Sequence, residues 1–462
     1  MSILENRYAS PEMRSVWSSK NKIIMERELW LEVLTFQANH GFSIAREILE
    51  DYRRVVEIVD LESIASREQI LRHDVKARLD EFNSLAGHDF MHLGMTSRDL
   101  TENIEAWQIR ASLELIRKKS IAFLSRLSIQ ANKFSTLPMV ARTHNVPAQV
   151  TTLGKRFATI SEESLIAFRR LNELITTYPM RGIKGAVGTS QDMIEFLERD
   201  VDLLDKQIAK RLNFTEILDS TGQIAPRSLD LNIISVLVQI SAAPTNFALL
   251  IRLMASLGLA REGFGKNQVG SSAMPHKINS RLSERICGFM NVLRGHLTMV
   301  SGLAGDQWNE GDVSDSVVRR VVFPDAFFVL DGLLDTSIHV IDEMVVDEVE
   351  IQRELKRYLP LLASSQIMSS AIRKGMPRQT AYLKIQSAAR SVTDTSGAEI
   401  LLSILAQDSE FPLDQAELES ILMNPMVFTG NARAQVKRIC DRISQVEMEY
   451  PEARNYNPST VL

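Results

Sequence analysis

Apolar residues recur along most of this chain at the spacing of an amphipathic helix. Few helix breakers interrupt four long stretches, at residues 99–136, 148–177, 191–212 and 277–301. Stretches of this length predict helices longer than the usual average, packed as a long bundle. No run of alternating apolar and polar residues between tight turns favours a sheet, so the predicted fold class is all-α.

Glycine and proline mark the predicted connections between these helices. They collect at residues 85–96, 137–147, 178–190, 258–275 and 302–311. Residues 312–358 predict one more long helical region, with Pro324 as an early kink or start. From about residue 351 the predicted helices are shorter, because prolines such as Pro360 and Pro412 interrupt them.

Composition narrows the class of protein. The 462 residues are enough for about three domains. The net charge of −5 predicts no general attraction to nucleic acid or to an anionic membrane. The two cysteines are too few for a disulfide framework and favour the reducing cytoplasm. No C-x-x-C or H-E-x-x-H spacing indicates a metal, and the first residues lack the apolar core of a signal peptide.

One stretch has the length of a membrane span. Residues 231–251 carry no charge, but Asn232, Gln239 and Pro244 interrupt the apolar run. Because such polarity is costly in lipid, we interpret this stretch as a helix buried in a bundle or at a subunit interface.

The most informative segment is residues 270–279, with the sequence GSSAMPHKIN. Glycines upstream loosen the backbone, which predicts a mobile loop that closes over a ligand. Ser271 and Ser272 place two hydroxyls close to the Lys277 ammonium. A serine becomes a base where an ammonium and backbone N–H groups stabilise its oxyanion in a closed site. The alternative is a surface turn with an incidental lysine.

Two further segments combine a structural and a chemical interpretation. Thr96 and Asp99 fit a capping box at the start of a helix, whose free N–H groups could also bind an anion. His144 lies in a loop between Thr143 and Asn145, which could fix its tautomer for acid–base chemistry. A lone histidine is more often a structural hydrogen-bonding group.

The remaining candidates are charged or polar clusters that also suit a solvated surface. They are Arg72-His73-Asp74, Thr221-Gly222-Gln223 with Arg227, Ser316 with Arg319 and Arg320, and the pair Arg7-Tyr8. Taken singly, each is typical of a charged helix face, a loop or a helix cap.

Together these segments resemble one family over nearly the whole chain. The run G-S-S-x-M-P-x-K-x-N is similar to the signature of the fumarase/aspartase superfamily. Within it, M-P-H-K at 274–277, R-Y-A-S-P-E-M at 7–13 and R-H-D at 72–74 resemble adenylosuccinate lyases. Further matches are H-L-G-M-T-S at 92–97, T-H at 143–144, G-K-R at 154–156, T-G-Q at 221–223 and F-T-G at 428–430.

The resemblance implies a nearly all-α chain of three domains, at residues 1–98, 99–350 and 351–462, with a signature loop at 263–280. It implies a cytoplasmic homotetramer whose active sites are each built from three chains. The implied reaction is β-elimination of fumarate from adenylosuccinate, and from the analogous succinyl-carboxamide ribotide, with no cofactor or metal. The implied partner is therefore a purine nucleotide substrate, without nucleic acid or membrane.

The resemblance also implies residue roles. The catalytic residues would be Ser271 as general base, His144 as general acid, His73 as its assistant or a phosphate contact, Lys277 as support for the serine alkoxide, and Glu284 as an orienting group. The substrate contacts would be Arg7, Tyr8, Arg72, His73, Asp74, Thr96, Ser97, Gln223, Arg227, Ser272, Lys277, Asn279, Ser316 and Arg320.

Two departures from the family pattern stand out. After Lys277 the chain has Ile-Asn-Ser where the family usually has Arg-Asn-Pro, so we expect Ser280 to cap the next helix. Residues 308–311 are Trp-Asn-Glu-Gly, so a family arginine is missing at Gly311, and we expect Arg319 to substitute for it.

Two other classes of protein compete with this interpretation. A sister lyase, such as an argininosuccinate lyase, a fumarase or a carboxymuconate-type cycloisomerase, would not need the phosphate contact of Arg7 and Tyr8. A protein that kept the fold as an interaction module would be expected to have lost Ser271, His144 or Lys277, which are all present.

Overall fold

A computed structural model describes residues 2–197, 200–264, 273–274, 276–392 and 400–458. The N-terminal helices are α1 (Ile3–Tyr8), α2 (Pro11–Trp17), α3 (Ser19–Asn39), α4 (Arg46–Val55), α5 (Leu61–Leu71) and α6 (Asp74–Ala86). The central helices are α7 (Ser97–Lys133), α8 (Leu153–Thr177), α9 (Gln191–Leu197), α10 (Val201–Arg211), α11 (Ser228–Ser256), α12 (Arg281–Ser301) and α13 (Ser314–Glu343). The C-terminal helices are α14 (Glu348–Leu362), α15 (Ser364–Arg373), α16 (Arg378–Arg390), α17 (Ile400–Gln407), α18 (Gln415–Leu422), α19 (Ala432–Glu449) and α20 (Pro451–Arg454), with a 3₁₀-helix at Pro425–Thr429.

Helices dominate, which confirms the predicted all-α class. The five long central helices α7, α8, α11, α12 and α13 pack against one another around the main apolar core. Phe247 of α11 lies 6.3 Å, between ring centroids, from both Phe123 of α7 and Phe157 of α8. Truncating a buried aromatic ring of this kind typically costs about 3–5 kcal/mol, so these contacts fix the bundle.

Within the described ranges, α11 alone is long and apolar enough to cross a membrane by length and composition. Its buried residues, including Ile233, Leu237 and Phe247, belong to the main core. This placement agrees with the interpretation of 231–251 as a core helix. Leu249, Leu253 and Leu257 lie at its exposed side.

A β-hairpin is the main departure from the predicted all-helical elements. Strands β1 (Pro138–Thr143) and β2 (Val146–Thr152) pair antiparallel, so α8 begins at Leu153 rather than near residue 148. The two-residue turn, His144-Asn145, has φ values of 52° and 61°. Two successive positive φ angles are those of a type I′ turn, which matches the twist of a hairpin.

Several predicted helical stretches are divided or shifted. Residues 191–212 form α9 and α10, and residues 312–358 form α13, the short strand β4 (Val345–Val346) and α14. Pro324 lies inside α13 rather than at its start. The capping box predicted at the start of α7 is present, because the Thr96 N–H donates to the Asp99 carboxylate at 2.8 Å.

The C-terminal helices divide between two cores. Helices α15 to α18 enclose a small separate core that includes Ile367, Ile385 and Leu401. Helix α19 returns to the central bundle and packs on α7 and α8 through Val436 and Ile443. The chain thus folds back on its own middle third, while the division at residues 98 and 350 stays a prediction.

Candidate active site

Helix N-termini from three parts of the chain meet at one place. Asp74, the first residue of α6, lies 3.3 Å from the guanidinium of Arg320 in the first turns of α13. Arg98, in the first turn of α7, donates to the Asp312 carbonyl just before α13, at 3.5 Å. Exposed N–H groups and the helix dipole make each N-terminus attractive to anions. The folded chain therefore brings Arg72-His73-Asp74, Thr96-Ser97 and Ser316 with Arg320 to neighbouring positions.

His73 caps α6 and keeps half of its ring in solvent. Its Nδ1 accepts the Lys76 N–H at 3.2 Å, and its side chain is 53% exposed. Since Nδ1 is the acceptor, the neutral ring carries its proton on Nε2. Burial would raise the pKa of Asp74, but Arg78, the Val75 N–H and Arg320 outweigh burial and lower it. His73 thus presents an N–H donor beside a firmly ionised carboxylate.

Arg7 and Tyr8 lie beside two arginines that sequence reasoning missed. The Tyr8 ring packs edge-on against Phe289 at 4.9 Å, and the Arg285 guanidinium lies 5.4 Å from its centroid. Burial lowers the pKa of Arg285, and the nearby cations Arg7 and Arg281 lower it further, against the opposite effects of Tyr8 and Glu262. A group of like charges is unfavourable without an anion, so this cation cluster of Arg7, Arg281 and Arg285 suits an anionic ligand.

The sequence could have indicated Arg281 and Arg285 by their spacing on α12. Arg281 and Arg285 are one helical turn apart on the first turns of the helix that follows the signature loop. Helix α1 itself rests on α13, where a Cβ at Gly332 would come within 2.7 Å of the Tyr8 carbonyl oxygen. This close approach places Tyr8 against the middle of α13, twelve residues beyond Arg320.

His92, which the sequence marked only as part of a motif, lies in the same region. The Trp30 indole N–H donates to His92 Nδ1 at 2.8 Å, so Nε2 carries the proton. Burial lowers the pKa of His92 to about 4, and Lys76 and His73 contribute. The ring is therefore a neutral donor near His73 at physiological pH.

Gln223 lies on a segment that packs closely against residues 308–311. Its N–H donates to the Glu310 carbonyl at 2.7 Å, and a Cβ at Gly222 would lie 2.2 Å from the same oxygen. Gly311 has φ 134°, and a Cβ there would come within 2.9 Å of the Ile224 side chain. This backbone conformation suits glycine, which explains why the family arginine is absent at this position.

Arg227 and Arg319 lie in a buried ion network rather than at an open surface. Both are 5% exposed. Arg227 pairs with Glu102 at 2.6 Å and with Asp315 at 2.7 Å. Arg319 lies within 4 Å of Glu102, Glu105 and Asp230. These contacts contradict the expectation that Arg319 replaces the missing arginine, because its charge is already matched inside the fold.

His144 lies apart from these residues. It occupies the exposed tip of the β1–β2 hairpin, whose base packs on α14 through Val140 and Val150. Across the described ranges, no hydrogen bond or ion pair joins His144 to the sites at Tyr8, His73 or Thr96. Within one chain, His144 is therefore not bonded to those described candidates.

The serines of the signature loop, Ser271 and Ser272, lie outside the described residues. Lys277 and Glu284 are exposed, and Asn279 is half-buried. Ser280 makes no side-chain cap bond to α12, so that expectation is wrong. Glu262 supplies the cap instead: its buried carboxylate accepts the N–H groups of Leu282, at 3.1 Å, and Ser283.

The residues at the start of the signature loop pack against the C-terminal end of α13 and the strand that follows it. Strand β3 (Ala260–Arg261) pairs with β4, and a Cβ at Gly263 would lie 2.6 Å from the Glu343 carbonyl oxygen. The contacts of Glu262 and Gly263 fix where the loop leaves the bundle. Among the side chains that the structure describes, no group of three or more His, Cys, Asp or Glu could hold a metal ion.

Comparison with known proteins gives a consistent result. The family model described as "Lyase" matches residues 11–295, and that described as "Adenylosuccinate lyase C-terminus" matches residues 360–439. The chain is 32% identical over 451 residues to an adenylosuccinate lyase of Saccharomyces cerevisiae, covering 95% of this chain and 93% of that protein. It is 30% identical to an adenylosuccinate lyase of Methanothermobacter thermautotrophicus, covering 95% and 98%.

Solved structures support the fold. The 3-carboxy-cis,cis-muconate lactonizing enzyme of Pseudomonas putida superposes with a TM-score of 0.82 at 19% identity, covering 96% of this chain and 99% of that one. At this identity the likeness concerns architecture alone. The family models and the two lyases, which span nearly the whole chain, settle the relationship: this protein belongs to the adenylosuccinate lyase family.

Proposed function

We propose that this protein cleaves adenylosuccinate to AMP and fumarate by β-elimination without a cofactor. The analogous succinyl-carboxamide ribotide, which yields aminoimidazole-carboxamide ribotide and fumarate, is its second substrate in purine biosynthesis. The observation that carries the proposal is the meeting of the α6, α7 and α13 N-termini in a chain of this family. Such a site suits a ligand with several negative charges, and adenylosuccinate carries a phosphate and two carboxylates.

The phosphate is bound by the cations around Tyr8 and by α13. Arg7, Arg285 and Arg320 supply guanidinium groups, which match phosphate oxygens with paired N–H donors. Tyr8 and Ser316 supply hydroxyls. Since burial and like charge lower the pKa of Arg285, an arriving dianion relieves an existing repulsion.

The succinyl part is bound by polar groups around the start of α7. Thr96, Ser97 and Gln223 contact its carboxylates, together with Lys277 and Asn279. Arg72, His73 and Asp74 border the same space, where the exposed His73 Nε2–H can donate. The same sites bind fumarate after the C–N bond has broken.

The difficult step is removal of a weakly acidic proton from the Cβ of the succinyl group. Ser271 takes this proton, and the electron pair spreads into the neighbouring carboxylate as an aci-carboxylate. The pair then forms the C=C bond of fumarate as the C–N bond breaks, and His144 protonates the leaving nitrogen. Ser272, Lys277 and Asn279 stabilise the intermediate, with Glu284 orienting Lys277 or His144. Losing one such donor typically costs about 3–4 kcal/mol in the transition state.

We also propose a cytoplasmic homotetramer in which three chains build each site. The proposal is supported by the exposed His144 tip, which has no partner among this chain's described candidate residues, and by the apolar side of α11 at Leu249, Leu253 and Leu257. The two cysteines, Cys287 and Cys440, are unpaired, as suits a reducing compartment. Net charge gives no reason to add nucleic acid or membrane as partners.

A substrate panel tests this function. Purified protein is incubated, in the presence of a chelator, with adenylosuccinate, argininosuccinate or malate in separate reactions. The products of each reaction are separated by chromatography. We expect AMP and fumarate in equal amounts from adenylosuccinate and no product from the other two. Turnover of argininosuccinate or malate instead would assign the chain to a sister lyase and refute the proposal.

A further inference from the structure

The buried ion network at Arg227 and Arg319 has its centre at Glu102 of α7. The Glu102 carboxylate accepts two bonds from Arg227, at 2.6 and 3.1 Å, and one from Arg98 at 3.1 Å. It also accepts the backbone N–H of Ala225 at 3.1 Å. Burial would raise its pKa, but Arg319, Arg227 and Arg98 lower it to about 2. Glu102 is thus ionised at neutral pH, and both of its carboxylate oxygens accept hydrogen bonds.

Asp315 joins this centre to α13. Its carboxylate lies 2.7 Å from Arg227 and 3.4 Å from Arg98, and only 4% of its surface is exposed. Asp315 immediately precedes Ser316 in the chain. One buried carboxylate therefore connects the start of α13 both to α7 and to the segment that carries Gln223.

Three members of the network lie one or two residues from residues that the proposed function uses. Arg98 follows Ser97, Ala225 is two residues from Gln223, and Asp315 precedes Ser316. These three segments are far apart in sequence, and the network joins them through buried ion pairs and one backbone hydrogen bond to a carboxylate. Buried charge pairs of this kind hold groups in fixed geometry, since breaking one leaves an uncompensated charge.

We infer that Asp315 is a positioning residue, which through Arg98 and Arg227 sets the distance between the Ser97, Gln223 and Ser316 substrate contacts. The inference rests on the proposed function and adds a group that does not itself touch the substrate. In this account Arg227, a predicted substrate contact, instead acts through the network.

The charges of the network allow a matched pair of variants. Three arginines, Arg98, Arg227 and Arg319, face four carboxylates, Glu102, Glu105, Asp230 and Asp315. Lys22 also lies 3.9 Å from Glu105, so neutralising either Asp315 or Asp230 leaves the same excess of one positive charge. Asp230→Asn removes the same charge as Asp315→Asn, but Asp230 lies on α11 and pairs with Arg319 at 3.5 Å.

The experiment compares KM and kcat of wild type, Asp315→Asn and Asp230→Asn for adenylosuccinate, with melting temperature and oligomeric state as controls of folding. For Asp315→Asn we expect KM to rise about tenfold with kcat changed much less, the size expected from losing a hydrogen bond to a charged group. For Asp230→Asn we expect the wild-type KM and a similar melting temperature. Asp315→Glu keeps the charge but moves α13, so its KM should also rise.

Three outcomes overturn the inference. Equal KM values for Asp315→Asn and Asp230→Asn mean that the network has no positional role. If Asp315→Asn does not fold, an unchanged KM in Asp315→Glu likewise excludes a positional role. A folded wild-type protein without turnover refutes the proposed function and this inference together, whereas wild-type turnover with unaffected variants refutes the inference alone.

Discussion

Asp74 at the start of α6 and Arg320 on α13 form an ion pair of 3.3 Å across 246 residues of sequence. The pair holds the Arg320 guanidinium where the N-termini of α6 and α13 meet, while 66% of that side chain stays in contact with solvent. Arg320 is therefore oriented before a ligand arrives and still accessible to it. Orientation of this kind lowers the entropy lost on binding.

Replacing Arg320 by lysine tests this orientation. We expect Arg320→Lys to raise the KM for adenylosuccinate about tenfold, because an ammonium cannot make the paired contacts of a guanidinium with phosphate. Arg353 provides a control, since it is also exposed (70%) and paired, with Glu350, but lies on α14 rather than near the α6 and α13 N-termini. An Arg353→Lys variant with the same rise in KM would contradict the assignment.

Glu262, which caps α12, should contribute more to the free energy of unfolding than Ser280, the residue that precedes the helix. Glu262→Ala leaves the Leu282 and Ser283 N–H groups without their acceptor. We expect the free energy of unfolding to fall by about 1–3 kcal/mol, the cost of leaving a buried polar group unpaired. Ser280→Ala should change it by less than about 0.5 kcal/mol. Denaturant titration measures both, and equal losses in the two variants would rule out the Glu262 cap.

Restoring the family arginine at Gly311 should harm this protein. Gly311 has φ 134°, a region that side chains rarely adopt, and a Cβ there would press on Ile224. We expect Gly311→Arg and Gly311→Ala both to lower the free energy of unfolding, by about 1–3 kcal/mol. Thermal unfolding gives the comparison. A Gly311→Arg protein as stable as wild type would mean that this backbone conformation is not required.

His92 should make the stability of the protein depend on pH in one direction. Burial, Lys76 and His73 lower its pKa to about 4, below the ordinary value of 6.5. Between these values the unfolded chain binds the extra proton, so stability is present above pH 6.5 and falls as pH decreases. His92→Asn removes this dependence and tolerates the φ of 73°. Between pH 7 and pH 5 the free energy of unfolding should fall more steeply in wild type than in His92→Asn. An equal fall in the two proteins would refute the assignment.

The sequence predicted what depends on local pattern. The capping box of Thr96 and Asp99 and the burial of 231–251 followed from residue spacing and polarity alone. The hairpin at 138–152 was missed because its short strands carry little alternation and because His144-Asn145 lacks the Asn-Gly or Asp-Gly sequence that marks most type I′ turns. Local pattern is informative where neighbours in sequence are also neighbours in space.

Contacts between side chains that are far apart in the sequence could not be predicted from it. Arg319 looked like a solvated cation beside Arg320, yet three carboxylates from α7 and α11 surround it. Glu262 caps a helix that begins about twenty residues later, and Arg285 gains its place in the site from Tyr8, far away in the chain. Such partners depend on how helices cross, which no window of sequence records.

Hydrogen transfer at the succinyl Cβ distinguishes β-elimination from other ways of breaking the C–N bond. Protein, AMP and fumarate are incubated in D₂O, and the adenylosuccinate formed by the reverse reaction is analysed by mass spectrometry after exchange back into H₂O. β-Elimination predicts adenylosuccinate with one non-exchangeable deuterium at the succinyl Cβ, formed by wild type and much more slowly by Ser271→Ala. Adenylosuccinate without that deuterium, or none at all from a folded wild-type protein, would contradict the account.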